Sequence, residues 1–385
     1  MTPAARLSAA IEVLDRILTG SPAEQALTNW GRASRFAGSG DRNAVRDLVY
    51  DALRCRRSYA ALGGAETGRG LMLGALRSAG TDPATLFTGE GHAPAPVGEG
   101  ESGQAPQGAA ALDVPDWLLP ELEASLGADL TPIAQALRQR APVFLRVNLR
   151  RASLPQAISA LQAEGISAQP HDLADTALVV TEGARKIQIG QAYLSGLVEL
   201  QDAASQAVVN ALPLADGMRV LDHCAGGGGK TLAMAARAHL SLFAHDASPA
   251  RMRDLPVRAS RAGAKVTVTD HPEKQAPFDL VLADAPCSGS GSWRRDPQGK
   301  WALTPERLAQ IGAVQDQILD RMAPMVRQGG TLAYATCSLL RAENEDRIAA
   351  FLDRHPGWRL LQSQRYTPLS GGDGFFLALL TQSPS

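Results

Sequence analysis

The sequence is poor in cysteine, lysine and aromatic residues, and it contains no long apolar run. Only 4 of its 385 residues are cysteine, and 5% are aromatic. None of the cysteines forms a CxxC pair, which argues against a zinc site and against a disulfide scaffold. No segment reaches the roughly 18 apolar residues of a membrane span, and the N-terminus lacks the apolar core of a signal peptide. These absences predict a cytoplasmic protein that needs neither a membrane nor a metal.

The overall charge is also uninformative, because 38 basic residues face 39 acidic ones and the formal net charge is −1. Any nucleic-acid binding must therefore depend on local patches. Three segments combine many cations with few acids or with aromatic rings: residues 32–57, residues 138–151, and residues 293–301. They predict phosphate contacts and base stacking, and a solvated charged surface is the alternative for each.

The pattern along the chain changes twice. Residues 1–85 are predicted to be helical, with Asp41 as an N-cap and Gly63 and Gly64 as a helix end. Residues 88–112 are rich in Gly, Pro and Ser, and they predict a linker or mobile loop. Helices and strands mix in residues 113–203, as in a small α+β module. From residue 204 to residue 385, apolar strands alternate with helices, which predicts a parallel sheet in an α/β domain.

A glycine-rich loop follows the first strand of this α/β domain. It contains Cys224, Ala225, Gly226, Gly227, Gly228, Gly229 and Lys230. Consecutive glycines leave backbone amides open to a ligand, whereas a flexible tight turn is the plainer alternative. A phosphate-binding P-loop requires a glycine where Cys224 stands, and the GxGxxG dinucleotide pattern requires one where Thr231 stands. The loop therefore predicts a ligand but matches neither nucleotide template.

Acidic residues end the next two strands. Asp246 lies about 20 residues beyond the glycine loop, where an acid in such folds binds ribose hydroxyls, although a helix cap is an alternative role. Asp270 ends the third strand and is placed to reach an adenine amino group. Combined with the glycine loop, these residues favour an adenosyl ligand at the carboxyl edge of the sheet.

Two cysteines follow the last two strands of the pattern. Asp284 and Cys287 come after the fourth strand, and Cys337 comes after the fifth. Either cysteine alone is most often a small buried apolar residue, but two at neighbouring strand ends favour a chemical role. A thiolate that adds to carbon 6 of cytosine makes carbon 5 nucleophilic towards a methyl sulfonium, and an acid near ring nitrogen 3 supports that addition. S-adenosylmethionine as the cofactor would account for the glycines, the acids and the thiols together.

These motifs resemble those of the RNA cytosine carbon-5 methyltransferases of the Sun/Nol/Nop group, and most of all its bacterial small-subunit ribosomal RNA subgroup. The loop DHCAGGGGKT is similar to the group's D-x-C-A-A-P-G-G-K-T. The segments DAPCSGSG and TCS match the group's two cysteine motifs. QDAAS matches the segment at the start of its catalytic domain, and GDGFF matches the segment near its C-terminus. The resemblance covers roughly residues 201–376. Gly226 and Gly227 replace the group's Ala-Pro, which should raise the unfolded-state entropy at a cost of about 0.4–1 kcal/mol.

The resemblance implies an α/β fold with a Rossmann-like S-adenosylmethionine-dependent methyltransferase domain at residues 204–385. A small α+β RNA-binding module at 113–203 and an all-helical, antitermination-factor (NusB)-like domain with its linker at 1–112 would precede it. The implied activity is methylation of carbon 5 of a cytosine in RNA by a monomer. Small-subunit (16S) ribosomal RNA is favoured over transfer RNA. A non-catalytic RNA-binding assembly factor is the alternative.

The resemblance also assigns roles to residues. It implies that Cys337 is the nucleophile, that Cys287 assists release of the methylated base, and that Asp284 faces both cytosine and cofactor. The implied cofactor contacts are Cys224, Ala225, Gly226, Gly227, Gly228, Gly229, Lys230, Asp246, Arg251, Asp270 and Asp284.

Overall fold

The computed structural model of the chain describes residues 1–382, which form two units. Residues 1–140 and 293–303 make up one unit, and residues 141–292 and those from 304 onward make up the other. The first division therefore falls after Arg140, later than the boundary predicted at residues 112 and 113. The last three residues of the predicted α/β domain, 383–385, lie outside the described residues.

The first unit is helical, as the apolar spacing predicts. Leu14, Val45 and Val49 are fully buried in one apolar core. Its helices are α1 (Pro3–Leu18), α2 (Ala23–Ala33), α3 (Ser39–Arg54), α4 (Arg56–Gly63), α5 (Gly68–Ser78), α6 (Gly108–Ala111), α7 (Leu119–Leu126) and α8 (Leu130–Arg138), with a further short helix at Pro297–Ala302.

The N-cap prediction for Asp41 is wrong. Helix α3 begins at Ser39 after Gly38, so Asp41 lies within its first turn. The Asp41 carboxylate instead accepts from the N-terminal ammonium at 3.1 Å and pairs with Arg6 Nη2 at 2.8 Å. Because these two cations bind the carboxylate, the pKa of Asp41 is lowered. The helix end is confirmed, since α4 ends at Gly63 and Gly64 has a left-handed φ of 85°.

The segment predicted as a linker packs against the helical unit. Residues 88–107 contain no helix or strand, but Arg69 Nε binds Glu101 Oε1 at 2.5 Å and Arg77 Nη2 donates to the Glu101 carbonyl at 2.6 Å. Hydrogen bonding to Arg69 lowers the pKa of Glu101 to about 2. Gln104 N donates to the Ala61 carbonyl at 2.9 Å. Ion pairs and backbone hydrogen bonds therefore order a segment that has little apolar surface to bury.

Burial contradicts the predicted RNA contacts of three residues in the segment 293–301. Trp293, Arg294 and Lys300 are each 4% exposed or less within the helical unit. Arg54 Nε donates to the Arg294 carbonyl at 2.8 Å, and Lys300 Nζ donates to the Arg54 carbonyl at 3.1 Å. These three residues are used for packing and present no surface to RNA, whereas Arg295 is exposed and Trp301 is half-buried.

The buried Lys300 makes a testable contribution to stability. Burial lowers the pKa of Lys300 to about 8 from 10.5. Below pH 8 the ammonium is charged in the folded and unfolded states, so its desolvation opposes folding, and that cost is relieved as the pH rises from about 8 to 10.5. The free energy of unfolding of the wild type should therefore increase, relative to that of Lys300→Met, by an amount on the order of 3 kcal/mol as the pH rises across this range. Denaturant titrations at pH 7 and pH 10 measure it, with exposed Lys265→Met as the control; a constant difference between wild type and Lys300→Met would contradict the expectation.

The second unit begins with a four-stranded antiparallel sheet of order β2-β3-β1-β4. Its strands are β1 (Val143–Val147), β2 (Ser167–Pro170), β3 (Ala177–Glu182) and β4 (Val198–Leu200), and its helices are α9 (Leu154–Ala163) and α10 (Gln191–Leu194). This is the predicted α+β module. Arg146 on β1, predicted to contact RNA, is 3% exposed, which excludes a surface role.

A seven-stranded sheet follows in the same unit, with the order β10-β11-β9-β8-β5-β6-β7. Strands β5 to β9 pair in parallel, and β11 pairs antiparallel with β9 and β10. The strands are β5 (Arg219–Asp222), β6 (Ser241–Ala244), β7 (Thr267–Val268), β8 (Phe278–Asp284), β9 (Val326–Thr336), β10 (Trp358–Tyr366) and β11 (Phe375–Gln382). The helices are α11 (Ala203–Asn210), α12 (Gly229–Arg237), α13 (Leu255–Ala262), α14 (Pro305–Met322) and α15 (Glu345–Arg354). The parallel α/β fold is confirmed. Among the helices of residues 1–382, none combines the length and apolar character needed to cross a membrane.

Candidate active site

The sheet brings the predicted site segments to one edge. Strands β5, β6, β8 and β9 are parallel neighbours, so their carboxyl ends lie together. Asp284, at the end of β8, is paired in register with Ala335 on β9. Three residues after Asp284 comes Cys287, and two residues after Ala335 comes Cys337. We call the segments that contain these cysteines, after Asp284 and after Thr336, the Cys287 loop and the Cys337 loop. The positions of their strands place these two cysteine loops side by side.

Two glycines in the loop after β5 are required by its backbone. Gly226 and Gly228 have left-handed φ values of 51° and 82°. A Cβ on Gly228 would lie 2.2 Å from Leu255 Cδ1. Gly228 N donates to the Ala225 carbonyl at 2.8 Å, which closes the turn before α12. Glycine permits this conformation at no steric cost, so the loop is a tight, specific turn.

Asp246 holds the glycine loop in place. Its carboxylate is 3% exposed and accepts from Gly226 N and Ser248 N, both at 2.9 Å. Arg251 Nη1 lies 3.4 Å from the same carboxylate. Ionised carboxylates have further lone pairs, so the predicted contact with a ribose remains open to Asp246.

Removal of this carboxylate is expected to weaken cofactor binding. Asp246→Ala leaves two amides without their acceptor, and each such loss costs about 1–3 kcal/mol. The loss destabilises the loop conformation that binds the cofactor. The dissociation constant for S-adenosylmethionine should therefore rise at least about tenfold. Calorimetric titration measures the change, and Asp254→Ala, at an exposed position, serves as the control. Equal affinities of the two variants would show that Asp246 does not support the site.

A cavity of about 310 Å³ opens beside the loop. Asp222 lines it, and Asp222 Oδ1 is buried without a hydrogen-bond partner among the described residues. Burial raises the pKa of Asp222 to about 7, a penalty that a cationic ligand with N–H donors would offset. The predicted contacts that line the cavity are Cys224, Ala225, Gly226, Gly227, Gly229, Lys230, Arg251 and Asp284. Cys224 is a thiol here, because burial raises its pKa.

The remaining predicted contacts lie outside that lining. Gly228 N closes the turn by donating to the Ala225 carbonyl, and Asp246 accepts from Gly226 N. Asp270 is exposed beyond β7 and is not among the described residues that line the cavity. Its predicted contact with adenine stays a prediction.

Lys230 connects the cofactor loop to the cysteine loops. Its ammonium is 2.7 Å from Asp284 Oδ2, and the lysine side chain is 6% exposed whereas that of Asp284 is 35% exposed. Lys230 Nζ also lies 4.7 Å from the centre of the Phe375 ring, in the segment that resembles the family's ending. Buried Lys230 therefore fixes the partly exposed carboxylate of Asp284 in the lining of the cavity.

The two thiols are in direct contact. Cys287 Sγ and Cys337 Sγ are 3.3 Å apart, and neither residue is fully buried. The hydrogen bond from Cys287 lowers the pKa of Cys337, and the same pairing together with burial raises the pKa of Cys287. The pair thus favours a thiolate on Cys337 beside a thiol on Cys287, which makes Cys337 the better nucleophile.

Close backbone approaches fix this pair. Gly291 N donates to the Cys337 carbonyl at 2.9 Å, and Gly374 N donates to the Gly291 carbonyl at 2.9 Å. A Cβ on Gly291 would lie 2.0 Å from the Gly374 carbonyl oxygen. Asp202, in QDAAS, accepts from Asp373 N at 2.9 Å. These hydrogen bonds link the two cysteine loops to two further segments that are distant in sequence.

Two supporting residues were missed by sequence reasoning. Arg146 Nη1 donates to the Gly229 carbonyl at 2.7 Å and binds the Gln201 side chain, so it supports the start of α12 from the α+β module. Glu343 is fully buried and binds residues of both cysteine loops. The sequence signals that could have indicated them are an arginine within an apolar strand, for Arg146, and an acid shortly after the second cysteine, for Glu343.

Two family models match the chain. The model described as 16S rRNA methyltransferase RsmB/F matches residues 209–381, and the RsmF/B-like ferredoxin-like domain matches residues 114–187. The ribosomal RNA small subunit methyltransferase B of Citrobacter koseri is 35% identical over 282 residues, which are 69% of this chain and 66% of that protein. This chain is a relative of the RsmB/F methyltransferases. Within this RsmB/F relative, the larger matched region contains the glycine loop and both site cysteines.

Two solved structures share the fold of this chain. The crystal structure of PH0851 matches with a TM-score of 0.76 and 22% identity over 99% of each chain. NSun6 from Pyrococcus horikoshii, solved with the ligand SFG, matches with a TM-score of 0.62 and 18% identity over 71% of this chain and 99% of that one. The α/β fold with its ferredoxin-like module and helical N-terminal region is therefore confirmed.

Proposed function

We propose that this chain transfers a methyl group from S-adenosylmethionine to carbon 5 of a cytosine in ribosomal RNA. The observation that carries the proposal is the pair of thiols 3.3 Å apart at neighbouring strand ends. A thiol pair beside the Lys230–Asp284 ion pair and a glycine-loop cavity suits nucleophilic activation of a pyrimidine.

The residues around the cavity fit the cofactor. Asp222 Oδ1, which has no hydrogen-bond partner within residues 1–382, and the partly exposed Asp284 supply acceptors for a cationic ligand. The glycine turn permits close approach of a ligand to the backbone. When bound, S-adenosylmethionine supplies an electrophilic methyl group. Asp246 and Arg251 would hold the loop around it, and Lys230 keeps Asp284 oriented towards the site.

Cys337 performs the covalent step. Its sulfur forms a bond to carbon 6 of the cytosine, and the ring electrons then make carbon 5 the nucleophile that accepts the methyl group. Afterwards the carbon 5 hydrogen leaves as a proton and the bond between sulfur and carbon 6 breaks. One methyl group enters and one proton leaves. We assign assistance in this release to Cys287, whose sulfur is 3.3 Å from that of Cys337.

Asp284 is the proposed partner of the cytosine ring on its nitrogen 3 side. Its side chain is 35% exposed at the end of β8, and Lys230 fixes it from the buried side at 2.7 Å. A cytosine must leave its stack to reach both Asp284 and Cys337, so an unpaired region of RNA is the expected substrate.

The substrate is proposed from the relatives. The names of the matched family and of the Citrobacter koseri protein specify ribosomal RNA, and they favour small-subunit ribosomal RNA over transfer RNA. The matched part of the chain spans 66% of that protein, so the whole activity is part of this proposal. We further propose that the helical domain and the α+β module contact RNA, and that the enzyme acts as a monomer in the cytoplasm without a metal.

Methyl transfer from labelled S-adenosylmethionine tests the proposal. The acceptors are protein-free small-subunit ribosomal RNA, transfer RNA and DNA, and nucleoside analysis identifies the product. Label in 5-methylcytosine from ribosomal RNA alone supports the proposal. Label in transfer RNA alone would reassign the substrate. RNA binding without transfer to any acceptor would favour a non-catalytic assembly factor.

A further inference from the structure

Glu343 occupies an unusual position for a carboxylate. It lies in a turn at Arg341–Glu343, between the Cys337 loop and α15, and it is 0% exposed. Burying a charged group is costly unless hydrogen bonds compensate it. The partners of Glu343 therefore indicate why an acid is kept there.

One set of contacts reaches the Cys287 loop. Glu343 Oε1 accepts from Ser288 N at 2.7 Å, and Glu343 Oε2 accepts from Ser288 Oγ at 2.5 Å. Ser288 directly follows Cys287 in the chain, so one carboxylate binds both its backbone N–H and its hydroxyl. Gln315 Nε2, on α14, donates to Glu343 Oε1 at 3.3 Å and to the Pro286 carbonyl at 2.9 Å.

The other contact reaches the Cys337 loop. Ser338 Oγ donates to Glu343 Oε2 at 2.5 Å and accepts from Leu340 N at 3.0 Å. Ser338 directly follows Cys337. The next residue, Asn344, donates from Nδ2 to the Ser338 carbonyl at 2.9 Å, but it binds this loop only. Glu343 therefore differs from Asn344 in that it joins both loops.

We propose that Glu343 is a positioning residue that sets the distance between the two thiols by binding the residue after each cysteine. Its four donors are a backbone amide, two hydroxyls and a side-chain amide, which use the two oxygens fully and leave the carboxylate no role as a proton acceptor for the substrate. Other hydrogen bonds also join the two loops, such as Gly291 N to the Cys337 carbonyl and Ser290 Oγ to Ser338 Oγ, but Glu343 binds the residue directly after each cysteine. The catalytic part of this inference rests on the proposed function, whereas the geometric part does not.

Activity measurements test the catalytic part. Glu343→Ala removes the carboxylate that binds the residues after both cysteines and should lower kcat about 10²-fold, since a misplacement of about 1 Å has that effect. Glu343→Gln retains the length and one carbonyl acceptor, so it should recover part of that loss. The Michaelis constant for S-adenosylmethionine should stay within about twofold of the wild type, because the contacts of Glu343 lie in the cysteine loops. Asp346→Asn is the matched control, since Asp346 pairs with exposed Arg341 and contacts neither loop by its side chain.

A chemical measurement tests the geometric part without any methyl transfer. Diamide oxidises two adjacent thiols to a disulfide and takes up the two hydrogens itself. Wild-type sulfurs at 3.3 Å should be linked readily, and peptide mapping should identify a Cys287–Cys337 bond. Disulfides demand a narrow geometry, so Glu343→Ala should form this bond at least about tenfold more slowly, with Glu343→Gln in between.

The outcomes separate the two proposals. Slower linkage in the Glu343 variants with an unchanged thermal midpoint for Glu343→Gln supports positioning, even if the wild type methylates none of the tested RNAs. Wild-type linkage rates in both variants would overturn the inference. A Glu343→Gln protein that links its thiols normally but melts at a lower temperature would also overturn it, because the role would then be structural alone.

Discussion

Replacing Cys337 by alanine is expected to lower methyl transfer to RNA by at least about a thousandfold, a size typical of the loss of a nucleophile. The variant has no atom to bond to carbon 6, so carbon 5 of the cytosine stays unreactive. Its contact with Cys287 is the only side-chain hydrogen bond described for Cys337 in residues 1–382, so the fold should be retained. Initial rates with labelled S-adenosylmethionine measure the effect.

The affinity for S-adenosylmethionine distinguishes this result from misfolding. The cofactor cavity is lined by the glycine loop, not by Cys337, so the dissociation constant should stay within about threefold of the wild type. Cys55→Ala is the matched control, because Cys55 is buried in the helical unit and should leave turnover intact. Substantial turnover by the Cys337→Ala protein would disprove its role as nucleophile.

Replacing Cys287 by alanine is expected to trap the covalent intermediate between Cys337 and the RNA, which the Cys337→Ala protein cannot form. Addition through Cys337 still proceeds, but release of the methylated base loses the group beside it. Loss of a proton-transfer group slows such a step by about 10²–10⁴-fold. The enzyme should then accumulate as a covalent complex with RNA, visible as a slower band on a denaturing gel. The pKa of Cys337 should also rise once the hydrogen bond from Cys287, which lowers it, is removed.

The double variant shows which sulfur holds the RNA. A band formed by Cys287→Ala should disappear in Cys287→Ala/Cys337→Ala. Persistence of the band would place the covalent bond elsewhere. Normal turnover by the single variant without any band would leave Cys287 with a packing role.

The sequence predicted the parts of this molecule that depend on periodicity and chain order. Apolar strands alternating with helices are sufficient to predict a parallel sheet, and a parallel sheet brings its strand ends to one edge. Asp284, Cys287 and Cys337 could therefore be placed near each other before any coordinates were known. The 3.3 Å contact of the sulfurs could not, because it depends on loop conformations fixed by distant partners.

The failures share one physical cause. Charge is visible in a sequence, but burial of a charged group depends on tertiary partners. Arg146, Arg294 and Lys300 were predicted to contact RNA, and each is buried. Arg146 and Lys300 donate to backbone carbonyls. Glu343 was missed, since its four donors come from three segments of the chain. Residues 88–107 were predicted as a linker because composition does not reveal ion pairs such as Arg69–Glu101.

Mapping of the covalent bond between protein and RNA tests the central claim most directly. Small-subunit ribosomal RNA transcribed with 5-fluorocytidine carries no hydrogen at carbon 5 that can leave as a proton, so a complex formed with S-adenosylmethionine cannot be released. After digestion, mass spectrometry should find the methylated fluorocytidine attached to the peptide that contains Cys337. Attachment to Cys287, or a complex that forms equally well with Cys337→Ala, would contradict the account.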